Sequence, residues 1–543
     1  MTRKTVHHCL YVVCLLVLAA AIPLSNYVMS IGGIFLFTNW VLEGNYRNKW
    51  NKLKANKLAI ILLLFFFVLC FSFIRTQNWA YAFDNMLSKL PLFYAPLVMA
   101  TSAPLSKREK LWVTGFFLAA TFVGTVFGFT KWITGNYFNI REISFFISHI
   151  RFSICVAFAI ILWIYLARHY MLQNRRWWAI LPVAWLLFYM GIAQTLTGIF
   201  ALGMVFIVYI IKLWNARLKN RFSLAFAAVS VVAILGGVCY LTVLIYHYCH
   251  VDKKMMAHLP TCTANGRLYE HDTASIIENG SPVFINVCTP ELRSEWAKRS
   301  IVPYDSIADA LVRFLNSKGS KKDSAGVAAL TPKEVQLVEA NIANKDYVNR
   351  WGLKASVYPI LFSFSLYREQ GKVAHSTLLQ RVELWRASWQ IIKRYPLLGV
   401  GMGDHKSELD KQLIADRSEC TYRKRMGCHN QFLTYWLMGG AIPMLYFWVV
   451  LFIPFCLNKR FTTLYLLFFV LVFCSLFTED TLETQPGITF YAFFNSFLLF
   501  VLEKKNGVHY SLRAIVGKTA LFQLLKSPAK RCWRACVTKS RKK

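Results

Sequence analysis

Charged residues are scarce in this 543-residue chain, and acidic residues are the scarcest among them. Only 16% of the residues are charged, and 27 Asp and Glu stand against 62 Lys and Arg, which leaves a formal net charge of +35. About a quarter of the residues in a soluble domain are charged, so this low content already argues against a soluble globular fold. The hydrophobic content of 56% excludes a disordered chain. The basic excess then indicates either nucleic-acid binding or the basic loops of a membrane protein.

Long charge-free apolar runs favour the membrane protein and argue against a nucleic-acid partner. Residues 59–70 and 223–243 are two such runs, and with their flanks they reach the roughly 20 residues that cross a bilayer. The N-terminal segment could be a signal peptide, but further apolar segments follow at once, which favours an uncleaved first span. We predict an all-α polytopic membrane helical bundle of about 12 transmembrane helices. The candidate spans lie near 9–25, 27–43, 57–74, 86–102, 111–130, 144–167, 177–193, 196–213, 222–248, 430–457, 461–477 and 486–502.

The polar segment 249–428 separates the first nine predicted spans from the last three. The loops on one side, together with both termini, have a large excess of Lys and Arg over acids, whereas the short loops on the other side do not. The positive-inside rule makes the basic side cytoplasmic. The large loop, partly helical, is then periplasmic in a bacterium. The predicted organisation is a membrane bundle (1–248), the loop domain (249–428), the C-terminal spans (429–503) and a basic tail (504–543). Within the tail, 511–543 could bind the anionic inner leaflet or be a disordered basic segment.

Five of the 14 cysteines are predicted to face outward: Cys249, Cys262, Cys288, Cys420 and Cys428. In an oxidising periplasm two disulfides could form, and the local pairs are Cys420–Cys428 and Cys262–Cys288, although sequence alone does not determine connectivity. A zinc site is the weaker alternative, because no CxxC or HxxxH spacing occurs.

Residues 378–395 are predicted to form a helix that begins after Thr377 and ends before Pro396. Arg381 is the only charged residue on the apolar face of this helix. That face also carries Val382, Leu384, Trp385, Ser388 and Trp389. An arginine in that position favours a buried anionic partner. Snorkelling toward lipid headgroups or a structural ion pair are the alternatives.

Two further segments follow this helix. The glycines of the segment 396–404 (Gly399, Gly401 and Gly403) could let backbone amides approach a phosphate, although a tight turn explains them equally simply. His429, beside Asn430 and Gln431 at the start of the tenth span, could act as a general base. A structural histidine is the alternative.

Arg151 is predicted to lie about two turns inside the outer end of the sixth span, a depth at which a charge indicates a functional site. Its structural alternative is an ion pair with Glu479, Asp480 or Glu483. At the outer junction of spans seven and eight, the polar side chains Gln194, Thr195 and Thr197 could line the same cavity or pack between helices.

Four pieces of this sequence together resemble the signature region of the O-antigen ligase/polymerase superfamily of bacterial membrane glycosyltransferases. They are Arg381-Val-Glu-Leu-Trp385, the segment 395–403, the His429-Asn-Gln-Phe-Leu stretch and the pair Gly439-Gly440. Members of the superfamily have about twelve spans and one large periplasmic loop before the histidine, and the resemblance implies a GT-C-like architecture. The signature covers residues 380–440; elsewhere the resemblance is one of topology.

The resemblance implies roles for individual residues. His429 would be the catalytic base and Arg381 a ligand of the undecaprenyl diphosphate of the donor, with Trp385 and Asn430 in the substrate site. Where the family has a Ser-Arg-Gly-like turn between spans seven and eight, this chain has Thr195-Leu196-Thr197-Gly198. Arg151 could supply the missing arginine, with Gln194 and Thr197 beside it.

The implied activity is an inverting, metal-independent glycosyl transfer that needs no cofactor and takes place at the inner membrane. The donor would be an undecaprenyl-diphosphate-linked glycan. Ligation of O-antigen to lipid A–core in lipopolysaccharide biosynthesis is the first hypothesis, and polymerisation of a growing surface glycan is the second. A flippase for lipid-linked glycans is the third hypothesis. Such a transporter would need inverted repeats and charges spread through the bundle.

Overall fold

The computed structural model describes residues 2–135, 140–215, 221–251, 256–348, 353–373, 376–422, 426–457 and 461–502. The segment 511–543, for which membrane binding is predicted, lies outside them. The described chain is predominantly helical, as predicted. Its α-helices are α1 Arg3–Leu24, α2 Asn26–Glu43, α3 Tyr46–Ala55, α4 Lys57–Leu69, α5 Trp79–Ser88, α6 Pro91–Thr101, α7 Lys107–Thr134, α8 His149–His169, α9 Ile180–Ile192, α10 Leu196–Asn215, α11 Arg221–Cys249, α12 Thr289–Trp296, α13 Tyr304–Lys318, α14 Ser324–Ala328, α15 Pro332–Glu339, α16 Leu353–Gln370, α17 Thr377–Arg394, α18 His405–Ala415, α19 Gln431–Gly439, α20 Ala441–Leu457, α21 Thr463–Thr478 and α22 Gln485–Ser496.

Four helices in the described residues are long and apolar enough to cross a membrane. They are α1, α7, α8 and the continuous helical segment Gln485–Leu502, and the pair α3 and Lys57–Phe73, bent by 99°, could add a fifth. Five further apolar helices are shorter, with 10–17 residues. The predicted number of twelve spans is therefore not confirmed.

Two predicted spans are each broken into two helices. The predicted span 86–102 falls on α5 and α6, and Pro91 begins the second of these helices. The predicted span 430–457 falls on α19 and α20, which are separated at Gly440, where φ is +75°. A backbone with that positive φ cannot continue a right-handed helix, so an apolar run of spanning length is divided here.

The chain forms two compact units. The first contains Met1–Ile211, Ala387–Gln412 and Arg425–Lys543; the second contains Lys212–Arg386 and Leu413–Lys424. The predicted loop domain 249–428 is thus not a unit by itself, because the second unit begins earlier and the residues of 387–412 belong to the first.

In the first unit, α22 lies in the middle of the packing, and all of its residues from Pro486 to Ser496 are buried. Its Phe494 packs edge-on against Phe158 of α8 and Phe117 of α7, with ring centroids 4.7 Å apart in both pairs. These aromatic contacts bury apolar surface and prefer this edge-to-face geometry. They hold α22, and with it the segment that enters α22 from α21.

The second unit has its own core, built around Trp296, Phe314 and Leu311. A short antiparallel hairpin, β1 Ile277–Glu278 with β2 Ser281–Pro282, places Ile277 opposite Pro282. Thr331 and Glu334 form a capping box at the start of α15, which satisfies backbone amides of its first turn. The predicted helix 378–395 is confirmed as α17.

Candidate active site

His429 stands at the entrance to α19 in a conformation that is unusual for a side chain with a Cβ. Its φ is +50°, which costs free energy and persists only where neighbours enforce it. Asn430 is the N-cap residue of α19: its Oδ1 accepts from the backbone amides of Phe432 and Leu433 at 3.0 and 3.2 Å, and its Nδ2 donates to the carbonyl of Phe477 at 3.3 Å. The structure therefore gives Asn430, predicted to bind substrate, a positioning role beside His429.

A buried carboxylate faces the His429 ring. The Nδ1 of His429 lies 3.0 Å from Oε2 of Glu479, a residue at the end of α21 whose side chain is 1% exposed, whereas the histidine side chain is 32% exposed. An ionised carboxylate only accepts hydrogen bonds, so Nδ1 carries the hydrogen in this contact, and in the neutral imidazole the lone pair is then on Nε2. The imidazole is thus arranged as a base.

Arg151 lies against the same acidic segment. Its guanidinium is 3.8 Å from Glu479 and 3.5 Å from Asp480, and it also donates to the carbonyl of Asp480 at 3.4 Å. Because α8 begins only at His149, Arg151 lies in its first turn, and the predicted depth of two turns is wrong. A cation at a helix N-terminus is unfavourable, so the two carboxylates offset both the burial and the helix dipole.

The ligand atoms of His429, Glu479 and Asp480 all lie within 4.8 Å of one another. That spacing would suit a divalent cation. The sequence predicts a metal-independent site, with a metal at Glu479, Asp480 and Glu483 as the lesser alternative. The guanidinium of Arg151 already supplies positive charge to both carboxylates. The arrangement therefore works electrostatically with side chains alone.

A buried polar network lies directly after these residues in the chain and was not anticipated. Gln431 accepts from the amide of Leu482 at 2.7 Å and donates to Glu483 at 3.0 Å, and Glu483 pairs with Lys89 at 2.9 Å. Glu483 is one of the three acids that the sequence offers as partners of Arg151, but it pairs with Lys89. The only sequence signal for the network was that Lys89 is a lone cation in an apolar stretch.

Lys406 balances the charge of this segment further. Burial alone would lower its pKa, but a hydrogen bond with Tyr81 and the charges of Asp480 and Glu483 raise the pKa above the ordinary value. Three cations, Arg151, Lys89 and Lys406, therefore accompany the three acids of the 479–483 segment. The negative charges of the three acids are therefore balanced, and they do not repel an anionic ligand as an unbalanced acidic cluster would.

The glycine-rich segment after α17 packs against the backbone of other parts of the protein. The amides of Val400 and Gly401 donate to the carbonyls of Leu437 and Met438 at 2.7 and 3.0 Å, and the amide of Met402 donates to Ser72 at 2.8 Å. Because these amides are bonded within the protein, the tight-turn interpretation is supported over a phosphate cradle. The backbones of Gly399 and Gly440 also come so close to the facing chain that the 395–403 and Gly439-Gly440 pieces of the signature are in contact.

Arg381 and Trp385 belong to the second unit, whereas His429 and Arg151 belong to the first. Arg381 is half-buried. The indole nitrogen of Trp385 is buried, and within the described residues it has no hydrogen-bond partner. Leu384 and Ser388 of the predicted apolar face are buried, but Val382 and Trp389 are exposed, so the buried stripe is narrower than predicted.

The turn before α10 does not add to the Arg151 site. Gln194 is exposed with φ +51°, and Thr197 is half-buried. Gly198 lies so close to Ser153 of α8 that a Cβ would stand 2.8 Å from the serine Cβ. Ser153 is two residues after Arg151, so it projects from a different face of α8. The turn therefore contacts a face of α8 that does not carry Arg151.

Neither predicted disulfide is present. Cys262, Cys288, Cys420 and Cys428 are all free thiols, and all but Cys262 are buried. Burial raises the pKa of the Cys428 thiol to about 11, although the hydroxyls of Ser388 and Thr434 act in the opposite direction. Such a thiol packs as a small apolar side chain.

In comparisons with known proteins, no family model matches the chain and no curated protein sequence matches it significantly.

Proposed function

We propose that the protein is an inverting membrane glycosyltransferase that moves a glycan from an undecaprenyl-diphosphate carrier to the hydroxyl of an acceptor sugar. The single observation that carries this proposal is that His429 and Arg151 meet at one buried carboxylate, Glu479. A base and a guanidinium in one place are what the transfer needs: one removes the acceptor proton and the other receives the departing diphosphate.

In the proposed reaction the acceptor hydroxyl attacks the anomeric carbon while Nε2 of His429 takes its proton. The bond between the anomeric carbon and the diphosphate oxygen breaks, and the diphosphate leaves with the electron pair. Arg151 stabilises the charge that grows on this leaving group, for which a bidentate guanidinium is well suited. Its present contacts, 3.4–3.8 Å long, are longer than strong charge-assisted hydrogen bonds, so diphosphate oxygens at shorter distances would compete with them for the same N–H groups.

The proposed setting is the bacterial inner membrane, in a GT-C-like bundle of about twelve spans with cytoplasmic termini and the site on the periplasmic side. The role of Arg381 as a second diphosphate ligand rests on the sequence resemblance alone. Among acceptors, lipid A–core is proposed first, which would make the protein an O-antigen ligase. A growing glycan on its carrier is the alternative, which would make it a polymerase.

The test is a transfer assay with purified protein in lipid nanodiscs, an undecaprenyl-diphosphate-linked oligosaccharide as donor and rough lipopolysaccharide as acceptor. Wild-type protein should extend the acceptor, and His429→Ala should lose transfer. Full activity of His429→Ala would overturn the proposal. Deletion of the gene separates the two acceptors: loss of the whole ladder on lipid A–core supports ligation, whereas cores with a single repeat support polymerisation.

A further inference from the structure

We infer that Glu479 is the positioning residue of His429: its carboxylate holds Nδ1–H, presents Nε2 to the acceptor and stabilises the imidazolium that forms during transfer. The inference rests on the proposed function and adds a residue that lies outside the signature region 380–440. It starts from the 3.0 Å contact between His429 Nδ1 and Glu479 Oε2 and from the burial of the carboxylate, which is 1% exposed.

The two residues are held in register by several contacts between their segments. Asn430 Nδ2 reaches the carbonyl of Phe477, and the amide of Leu482 donates to Gln431 Oε1 at 2.7 Å. A Cβ on Gly427 would overlap the carboxylate of Asp480, so these two residues are also in close contact. These contacts flank the His429–Glu479 pair on both sides in each segment. The pair is therefore fixed by the fold and does not depend on its own hydrogen bond alone.

The backbone at both residues supports a fixed geometry. The amide of Glu479 donates to Ser475 at 2.9 Å and ends α21. His429 has a φ of +50°, a strained conformation, and in this conformation its ring contacts Glu479. Strain of this kind is typical of residues whose orientation matters for function.

Glu479 and Asp480 each lie nearest to a different basic side chain. Asp480 is the nearer partner of Arg151, at 3.5 Å, whereas Glu479 is 3.8 Å from Arg151 but 3.0 Å from His429. Among the described residues, Glu479 and Asp480 place carboxylate oxygens near the His429 ring, and Arg151 contacts both acids. Glu479 therefore acts chiefly on proton transfer at His429, and Asp480 chiefly on the position of the Arg151 guanidinium. Substitutions of the two acids should change different kinetic constants.

Charge and tautomer give the chemistry. With Nδ1–H donated to the carboxylate, the neutral imidazole is in the tautomer whose Nε2 accepts a proton. When Nε2 takes the acceptor proton, the new positive charge lies 3.0 Å from a carboxylate that water does not screen. The logic is that of the acid in a hydrolase triad, which orients and supports its histidine.

The test compares Glu479→Gln, Glu479→Asp and Asp480→Asn in the nanodisc transfer assay across pH 5–9. We expect Glu479→Gln to lower kcat by about 10²- to 10⁴-fold with little change in the donor KM. The acid limb of its pH–rate profile should move to lower pH, because the imidazolium has lost its carboxylate. Glu479→Asp should recover part of kcat, whereas Asp480→Asn should raise the donor KM more than it lowers kcat.

The outcomes separate this inference from the proposed function. If His429→Ala abolishes transfer while Glu479→Gln keeps wild-type kcat and an unmoved acid limb, the positioning role is wrong and the proposed function stands. If His429→Ala transfers normally, the proposed function itself fails. Should thermal unfolding show that Glu479→Gln does not fold, Glu479→Asp decides: unchanged kcat and profile would overturn the inference, because its carboxylate is withdrawn from Nδ1.

Discussion

Lys89 and Glu483 form a buried ion pair of 2.9 Å, with side chains 0% and 5% exposed. Lys89 also donates to Asn85 Oδ1 at 2.6 Å, and Glu483 accepts from Gln431 at 3.0 Å. Burial would raise the pKa of Glu483, but the charge of Lys89 holds it below the ordinary value. Lys89 directly follows α5, so the pair ties the end of that helix to the segment that carries Glu479.

Breaking this pair on one side should strongly destabilise the protein. We expect Lys89→Met to lower the free energy of unfolding by about 3–5 kcal/mol, because it leaves the Glu483 charge buried and unpaired. The double variant Lys89→Met/Glu483→Leu removes both charges and should recover most of the loss. Thermal unfolding in detergent measures both; a Lys89→Met protein as stable as wild type would contradict the assignment.

Gly440, between α19 and α20, should tolerate alanine much less than a glycine of the same backbone conformation elsewhere. Gly440 (φ 75°, ψ −157°) and Gly44 (φ 69°, ψ −138°) both need a positive φ. A Cβ on Gly440 would overlap the Leu397 carbonyl, whereas nothing lies within 4 Å of a Cβ on Gly44.

The backbone strain of alanine, about 1–3 kcal/mol, is common to both positions. The overlap adds a packing cost of about 1–3 kcal/mol at Gly440 alone. Gly440→Ala should therefore unfold at a lower temperature than Gly44→Ala. Equal unfolding temperatures would mean that the contact of Gly440 with the 396–398 backbone is absent in solution.

The sequence predicted what local rules determine. Helix α17 is bounded by Thr377 and Pro396, and the capping box of Thr331 and Glu334 is a three-residue pattern. The sequence does not predict the breaks in two of the spans, because the residues on both sides of Gly440 and Pro91 are largely apolar. The helices nevertheless end and begin again close to these two residues. Arg151 was placed too deep for a similar reason, since apolar residues 145–147 precede the start of α8.

The contacts that build the site are of another kind. His429 and Glu479 are fifty residues apart, and Lys89 and Glu483 are separated by 394 positions. No periodicity relates such residues, because their proximity follows from how α5, α19 and α21 pack in the first unit. The sequence could therefore name His429 as a candidate base and Glu479 only as one of three acids.

Buried His405 should make stability depend on pH. Its Nδ1 donates to the carbonyl of Met402 at 2.9 Å, and burial lowers its pKa to about 4, against a smaller opposing effect of Glu483. The unfolded chain binds a proton near pH 6.5, so the unfolded state takes up more protons below that pH. The stability that His405 contributes is complete above pH 6.5 and falls as pH decreases toward 4.

We expect a loss of about 2 kcal/mol between pH 7.5 and pH 5 from this residue. His405→Phe should flatten that part of the stability profile, whereas His250→Phe, a change at an exposed histidine, should leave the slope as in the wild type. Denaturant unfolding at several pH values gives the slopes. A His405→Phe protein with the wild-type slope would show that His405 is not held neutral.

A chelator distinguishes a site that works with side chains from one that needs a cation between His429, Glu479 and Asp480. Because Arg151 already lies against both carboxylates, we expect transfer in the nanodisc assay to survive EDTA treatment and dialysis. A loss of more than about tenfold, restored by Mg²⁺, Mn²⁺ or Zn²⁺, would assign the three side chains to a metal.

Arg151→Lys tests whether the planar fork, rather than positive charge alone, serves the diphosphate. Lysine keeps the charge but cannot make two parallel hydrogen bonds to phosphate oxygens, so kcat/KM for the lipid-linked donor should fall about 10- to 100-fold. Arg168→Lys is the matched control, because Arg168 lies at the other end of α8 and contacts the hydroxyl of Tyr209 at 3.0 Å. It should leave kcat/KM unchanged. Equal effects of the two substitutions would mean that Arg151 acts through the stability of α8, and the diphosphate would then need another ligand.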